Sequence, residues 1–190
     1  MPSTREILDI AEGIHRREGL DSLSVRRVAE EVGVTPMALY RHFPGKDGLL
    51  DALVARGFAK LESRFGRAAR KRTPLARVRG VLTEYREFAI AEPRVFELMF
   101  FVRRRNVPTA PASLAQSSSP AFTIIIASVA AAMEEGRIRT GDPAQTILLL
   151  WSVAHGLIAL HFSGRFGGDA SRFRRIYDAQ IATALELLAG

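Results

Sequence analysis

The sequence predicts an all-α protein. Apolar residues recur at helical spacing through nearly every periodic segment, one helix-start signal is repeated along the chain, and no alternating strand or hairpin signal occurs. The repeated signal is a side-chain oxygen acceptor followed by proline, which loses nothing at a first helical position because the N–H there has no helical partner. Thr35-Pro36, Thr73-Pro74, Ser119-Pro120 and Asp142-Pro143 all carry it.

The first helix, expected at 4–18, opens on a capping box, Ser3-x-x-Glu6, and stops at Gly19 after the cationic Arg16 and Arg17. Further helices are expected at 25–32, 36–42, 46–71, 75–91, 94–102, 120–135, 143–163 and 170–189. Arg70-Lys71-Arg72 before Thr73-Pro74 marks a boundary. A head over residues 1–48, extended by a linking helix to about 72, is therefore expected to precede a larger helical domain over 73–190. Arg103–Ser119, rich in Arg, Pro, Ser and Ala, is longer than most connections and is expected to be a disordered surface insertion rather than a loop over a pocket. The glycine-rich Gly164–Gly168 follows no strand, so it reads as a turn and not as a phosphate-binding loop.

With a formal charge of +7, a pI of about 10.7 and Arg far outnumbering Lys, the 190-residue chain suits a polyanionic partner. Charge alone fits DNA, RNA or a membrane surface equally. The absence of cysteine excludes disulfides, thiolate zinc sites and cysteine nucleophiles. The start MPSTREIL lacks an apolar stretch before a cleavage site, and a cytoplasmic location is expected. Thr146–Phe162 is marginally short for a bilayer and carries Ser152, His155, Gly156 and His161, so a buried or inter-subunit helix is expected and no membrane partner. His15, His42, His155 and His161 are scattered, none belongs to HExxH, and no Gly-x-Ser-x-Gly elbow occurs. No metal, cofactor or enzymatic activity is expected.

The segment Ser24–Phe43 has the build of a helix-turn-helix. Val28, Ala29 and Val32 face a shared core, Gly33 supplies the positive φ of the turn, and Val34 plugs the angle. Thr35 caps the second helix with Pro36 at its first position, and Leu39 and Phe43 point back inward together. The outward face carries Thr35, Met37, Ala38, Tyr40, Arg41 and His42, where a solvent-facing helix would carry Glu and Lys. Small and apolar groups such as Met37 and Ala38 suit thymine methyls, Tyr40 and His42 suit phosphates, and Arg26 has the reach for guanine.

From Ile7 to Leu53 the chain resembles the DNA-binding domain of TetR-like repressors. The resemblance rests on Ile7, Leu8 and Ala11, on Gly19, on Ser24-Val25-Arg26-Arg27-Val28-Ala29, on Gly33-Val34-Thr35, on Leu39-Tyr40-Arg41-His42-Phe43 and on Lys46-Asp47-Gly48-Leu49-Leu50, all in order. It implies a three-helix head whose third helix enters the major groove, with Tyr40 and Lys46 clamping phosphates. Arg26, Thr35, Pro36, Met37, Ala38, Tyr40, Arg41, His42 and Lys46 are thus the expected contacts to a double-stranded DNA operator.

Trp151-x-x-x-His155-Gly156, preceded by Tyr85-x-x-Phe88, Glu92-Pro93 and Phe96-x-x-Met99-Phe100, resembles the WHG-type C-terminal domain of such regulators. The resemblance implies a pocket for a small apolar effector, with Tyr85, Phe88, Phe96, Met99, Phe100, Trp151 and His155 as its expected lining. For each of these aromatics, core packing is the competing reading. Helices 143–163 and 170–189 are expected to form a homodimer through wide apolar surfaces, with Ile176, Ile181, Leu185 and Leu188 on the last. The expected function is a repressor released from a palindromic operator by its effector. The alternative is a basic protein that coats nucleic acid without sequence preference.

Overall fold

The computed structural model describes residues 2–103 and 120–190, and the described residues form nine helices and no strand. They are α1 (Thr4–Glu18), α2 (Val25–Val32), α3 (Pro36–Tyr40), α4 (Gly45–Ala68), α5 (Pro74–Ala91), α6 (Pro93–Phe100), α7 (Pro120–Glu134), α8 (Pro143–Phe162) and α9 (Ala170–Leu187). The insertion expected over 103–119 falls almost wholly outside the described residues. Thr73 and Asp142 cap as their sequence signals require, taking the backbone N–H groups of Ala76 at 3.3 Å and Ala144 at 2.9 Å. Asp169 does the same for Ser171 at 2.8 Å. At α1 the capping box is reciprocal: Ser3 N–H donates to Glu6 at 2.7 Å, and Glu6 N–H donates to Ser3 at 3.2 Å.

The described residues fall into two compact units, 2–59 with 92–103 and 60–91 with 120–190. This division moves α6, expected in the C-terminal domain, into the first unit. The reason is local. His15 Nε2 donates to the Arg94 carbonyl at 2.9 Å, and Arg94 returns a bond to the His15 carbonyl at 3.2 Å. Gly57 lets α4 and α6 approach closely, since a Cβ there would lie 2.5 Å from Met99 Sδ. Ile7, Ala11 and Ile14 of α1 form the centre of this unit with Val28, Leu39 and Phe43. The buried carboxylate of Glu12 is held by Arg16 and by Arg56, the latter at 3.3 Å.

In the second unit α5, α7, α8 and α9 pack together. The buried stripe of α9 is Phe173, Tyr177, Ile181 and Leu185, a strict four-residue repeat. Ile181 and Leu185, expected at a dimer surface, therefore lie in the protomer's own core. The outward side of α9 instead carries Ala179, Thr183 and Leu187, with Leu187 71% exposed and Ile176 and Leu188 half-buried. Tyr177 donates to the Leu82 carbonyl at 2.8 Å, and the Arg86 guanidinium lies 5.2 Å from its ring centre while pairing with Asp178 and Glu87. Glu87 is also held by both arms of Arg174, whose hydrogen bonds keep its carboxyl below the usual carboxylate range. Gly164, Gly167 and Gly168 all adopt positive φ in the expected turn between α8 and α9.

Candidate nucleic-acid interface

The turn of the helix-turn-helix is built as its sequence requires. Ser24 accepts from Arg27 N–H at 3.1 Å to start α2. Gly33 ends it at φ 79°, ψ 32°, with its own N–H and that of Val34 closing on the Ala29 carbonyl at 2.9 and 3.0 Å. A Cβ at Gly33 would meet no neighbour, so the left-handed backbone alone favours glycine here. Leu39 and Phe43 are buried, which fixes the opposite side of α3 outward.

Two details differ from expectation. The helix ends at Tyr40 rather than 42, and Thr35 stands at the N-cap without using its side chain. The Ala38 N–H, which a cap side chain would take, closes on the Thr35 carbonyl at 3.0 Å instead. The Thr35 hydroxyl therefore makes no cap bond. Pro36, Met37, Tyr40, Arg41 and His42 are exposed and Ala38 is half-buried. His42 Nδ1 lies 3.3 Å from the Thr4 hydroxyl, which brings the start of α1 beside the end of α3.

Ion pairing sorts the cations of this unit into two sets. Arg16, Arg17, Arg27 and Arg56 are engaged: Arg17 with Glu31 at 2.8 Å, Arg27 with Glu18 and Glu31 at 3.1 Å each, Arg56 with Asp9 and Glu12, and Arg16 with Glu12 and Glu92. Arg5, Arg26 and Arg41 have no carboxylate partner among the described residues. Lys46 spends one of its three donors on the Leu20 carbonyl at 3.1 Å. Arg5, Arg26 and Lys46 each stand second in their helix, where the helix dipole disfavours a cation. An external anion would satisfy both the cation and the exposed backbone N–H groups around it. Arg5 was missed from the sequence, and this position against the dipole is the signal that marks it.

The expected effector residues are divided between the two units. Phe96, Met99 and Phe100 belong to the first unit, with Phe96 and Phe100 4.7 Å apart between ring centres and Phe100 edge-on to Phe58 at 5.6 Å. A cleft of about 460 Å³ in the same unit is lined by α1 and α6 residues including His15, Arg94 and Leu98, and by none of the expected seven. In the second unit Tyr85, Trp151 and His155 meet, and Phe88 is fully buried with Arg64 5.8 Å from its ring centre. Trp151 Nε1–H, which can only donate, gives its proton to the Tyr85 oxygen at 3.0 Å. The Tyr85 hydroxyl also shares a hydrogen bond with His155 Nδ1, 2.8 Å away. Burial pushes the Tyr85 phenol well above its usual 10.

Burial also holds His155 and His161 below the usual 6.5. The unfolded chain therefore takes up these protons first as the pH falls. The stability the neutral rings contribute is complete above about pH 6.5 and is lost as the pH drops from there toward their folded values. Melting temperatures are expected to fall below about pH 6.5, and less steeply in His155→Gln. A pH profile identical in that variant would refute the assignment of His155.

An all-helical chain that sets a short, uncharged helix between unpaired arginines defines a nucleic-acid-reading head fused to a second helical unit. Comparison with known proteins gives that class its family. A family model described as bacterial regulatory proteins, tetR family, matches residues 7–53, and one described as tetracyclin repressor-like, C-terminal domain, matches residues 78–184, more than half of the chain. The chain belongs to the TetR family of bacterial transcriptional regulators, proteins that bind DNA.

Among curated relatives it is 33% identical over 95 residues to the HTH-type transcriptional repressor KstR of Rhodococcus jostii (strain RHA1), over 50% of this chain and 44% of that protein. It is 35% identical over 81 residues to the nucleoid occlusion factor SlmA of Mannheimia succiniciproducens, over 42% and 38%. The chain thus matches less than half the length of these relatives. A solved structure of a protein of unknown function from Rhodococcus sp. RHA1 matches with a TM-score of 0.78 at 27% identity, over 98% of this chain and 95% of that one. The ketosteroid transcriptional regulator KstR2 of Mycobacterium tuberculosis shares the fold, with a TM-score of 0.62 at 19% identity over 100% and 97%.

Proposed function

We propose that this chain is a cytoplasmic repressor that binds a palindromic operator as a homodimer and is released by a small apolar effector. The observation that carries the DNA reading is the outward face of α3, small and apolar where solvent would favour charge, beside cations with no carboxylate partner among the described residues. Arg26, Thr35, Pro36, Met37, Ala38, Tyr40, Arg41, His42 and Lys46 make the contacts, and the lack of a carboxylate partner adds Arg5. Tyr40 and Lys46 clamp phosphates, Lys46 with the two donors it does not spend on Leu20.

Dimerisation is supported by the faces that α8 and α9 leave open: Leu149, Gly156 and Leu160 on one, Ala179, Thr183 and Leu187 on the other. Among the described residues, nothing beyond α8's own backbone and the adjacent residues lies within 4 Å of where a Gly156 Cβ would stand, so a partner helix has room to approach there. Two such helices from each protomer make a four-helix interface about a two-fold axis, and that symmetry selects a palindrome. The effector reading rests on Tyr85, Trp151 and His155, a polar chain set among aromatic rings that include Phe122, edge-on to Trp151 at 5.8 Å.

Footprinting tests the proposal. One short symmetric protected site is expected, whereas uniform protection would establish the coating alternative. Arg41→Ala and Lys46→Ala are each expected to reduce the slope of log affinity against log salt by about one per head. Arg27→Ala, which removes an arginine already engaged by two glutamates, is expected to leave the slope unchanged. A compound that both releases the DNA and raises the melting temperature identifies the effector class.

A further inference from the structure

The helix placed to read the operator lacks every side chain that recognises a base by paired hydrogen bonds. Arginine reads guanine this way, asparagine and glutamine read adenine, and α3 consists of Pro36, Met37, Ala38, Leu39 and Tyr40. Leu39 is committed to the core. Pro36 carries no hydrogen-bonding side chain, and Tyr40 ends in a single hydroxyl at the last position of the helix. Met37 remains, 69% exposed. Ala38 beside it is half-buried and small, so the helix can approach a groove floor without a long side chain in the way.

We propose that Met37 reads a thymine in each half-site by packing its thioether against the C5-methyl group. That methyl is the one apolar group on the major-groove edge of the base pairs, and a flexible, polarisable side chain suits an apolar contact of small area. The occupant is fixed by charge complementarity: the unpaired Arg26 and Arg41 beside α3 direct the surface to a polyanion and away from an apolar protein partner. The inference rests on the operator reading above and deepens it. This head identifies its site through a thymine methyl met by Met37 of α3, and paired hydrogen bonds to guanine fall to Arg26 on α2.

The test begins by selecting bound sites from random DNA. Each thymine of the selected half-site is then replaced singly by deoxyuridine, which deletes the methyl and nothing else. One position per half-site is expected to lose about four-fold in affinity, the worth of one buried methyl-sized group. Met37→Ala, which deletes the contact in both half-sites, is expected to weaken binding to the thymine site by about the square of that factor, roughly fifteen-fold, and to abolish its sensitivity to deoxyuridine, while Met37→Leu keeps that sensitivity. Met37 stands outside the core, so these variants fold as the parent does. Deoxyuridine tolerated at every position, or a penalty that persists in Met37→Ala, would overturn this inference and leave the operator reading standing. Selection that enriches no sequence would overturn both.

Discussion

Leu149→Arg is expected to give a folded monomer whose affinity for the operator falls by roughly three orders of magnitude or more, to the level of non-specific binding. Leu149 is 50% exposed on α8, whose buried face is Ile147, Leu150, Ala154 and Ile158. In a two-fold interface each patch meets its own copy, so a single substitution places two guanidinium groups in an apolar contact where neither finds a partner. Within the protomer the same change is at the surface and costs about 0.5 kcal/mol or less. Sedimentation and fluorescence anisotropy on one sample separate these effects. A variant that stays dimeric and binds the operator normally would remove α8 from the interface.

Phe173→Ala is expected to destabilise the protein by about 3–5 kcal/mol, lowering the melting temperature by roughly 10 °C for a chain of this size. The ring is fully buried. It stacks on His161 at 4.1 Å between ring centres, lies 6.0 Å from Phe166 and meets Tyr177 edge-on at 5.8 Å. Its removal leaves a cavity bounded by rings that cannot collapse into it without leaving their own contacts. Arg86→Ala makes an instructive contrast, since the guanidinium is buried but its partner Asp178 is largely exposed. The carboxylates left behind stay hydrated, Glu87 also keeps Arg174, and the expected loss is smaller, about 1–3 kcal/mol. Thermal melts of the two variants rank the contributions, and a Phe173→Ala melt within a degree or two of the parent would contradict the packing described.

The fold was legible because its signals are local. Capping residues, prolines at first helical positions and the glycine turn at Gly33 each act within a few residues, and the helices start where they direct. The pieces that were not legible depend on residues far apart in sequence. The attachment of α6 to the first unit is decided by His15 meeting Arg94, and no local pattern on α6 announces that partner. The interior face of α9 was misjudged for a related reason. Ile176, Ile181, Leu185 and Leu188 are all apolar, and only the rings of Phe173 and Tyr177, continuing the four-residue repeat, decide which side is inside. In the head, the outward residues of α3 could be read directly because Leu39 and Phe43 fix its inward face. The division of arginines into paired and unpaired could not, since Arg26 and Arg27 are adjacent and differ only in whether Glu18 and Glu31 lie within reach.

The three cations at the second positions of α1, α2 and α4 also bear on how the head lives without DNA. Each opposes the dipole of its own helix, so an anion beside it would gain from the cation and the helix end together. Phosphate and sulfate, carrying more charge than chloride, are the better occupants. At equal ionic strength a phosphate buffer therefore competes with the operator more strongly than chloride does. The same buffer steadies the unbound head that it keeps from its target.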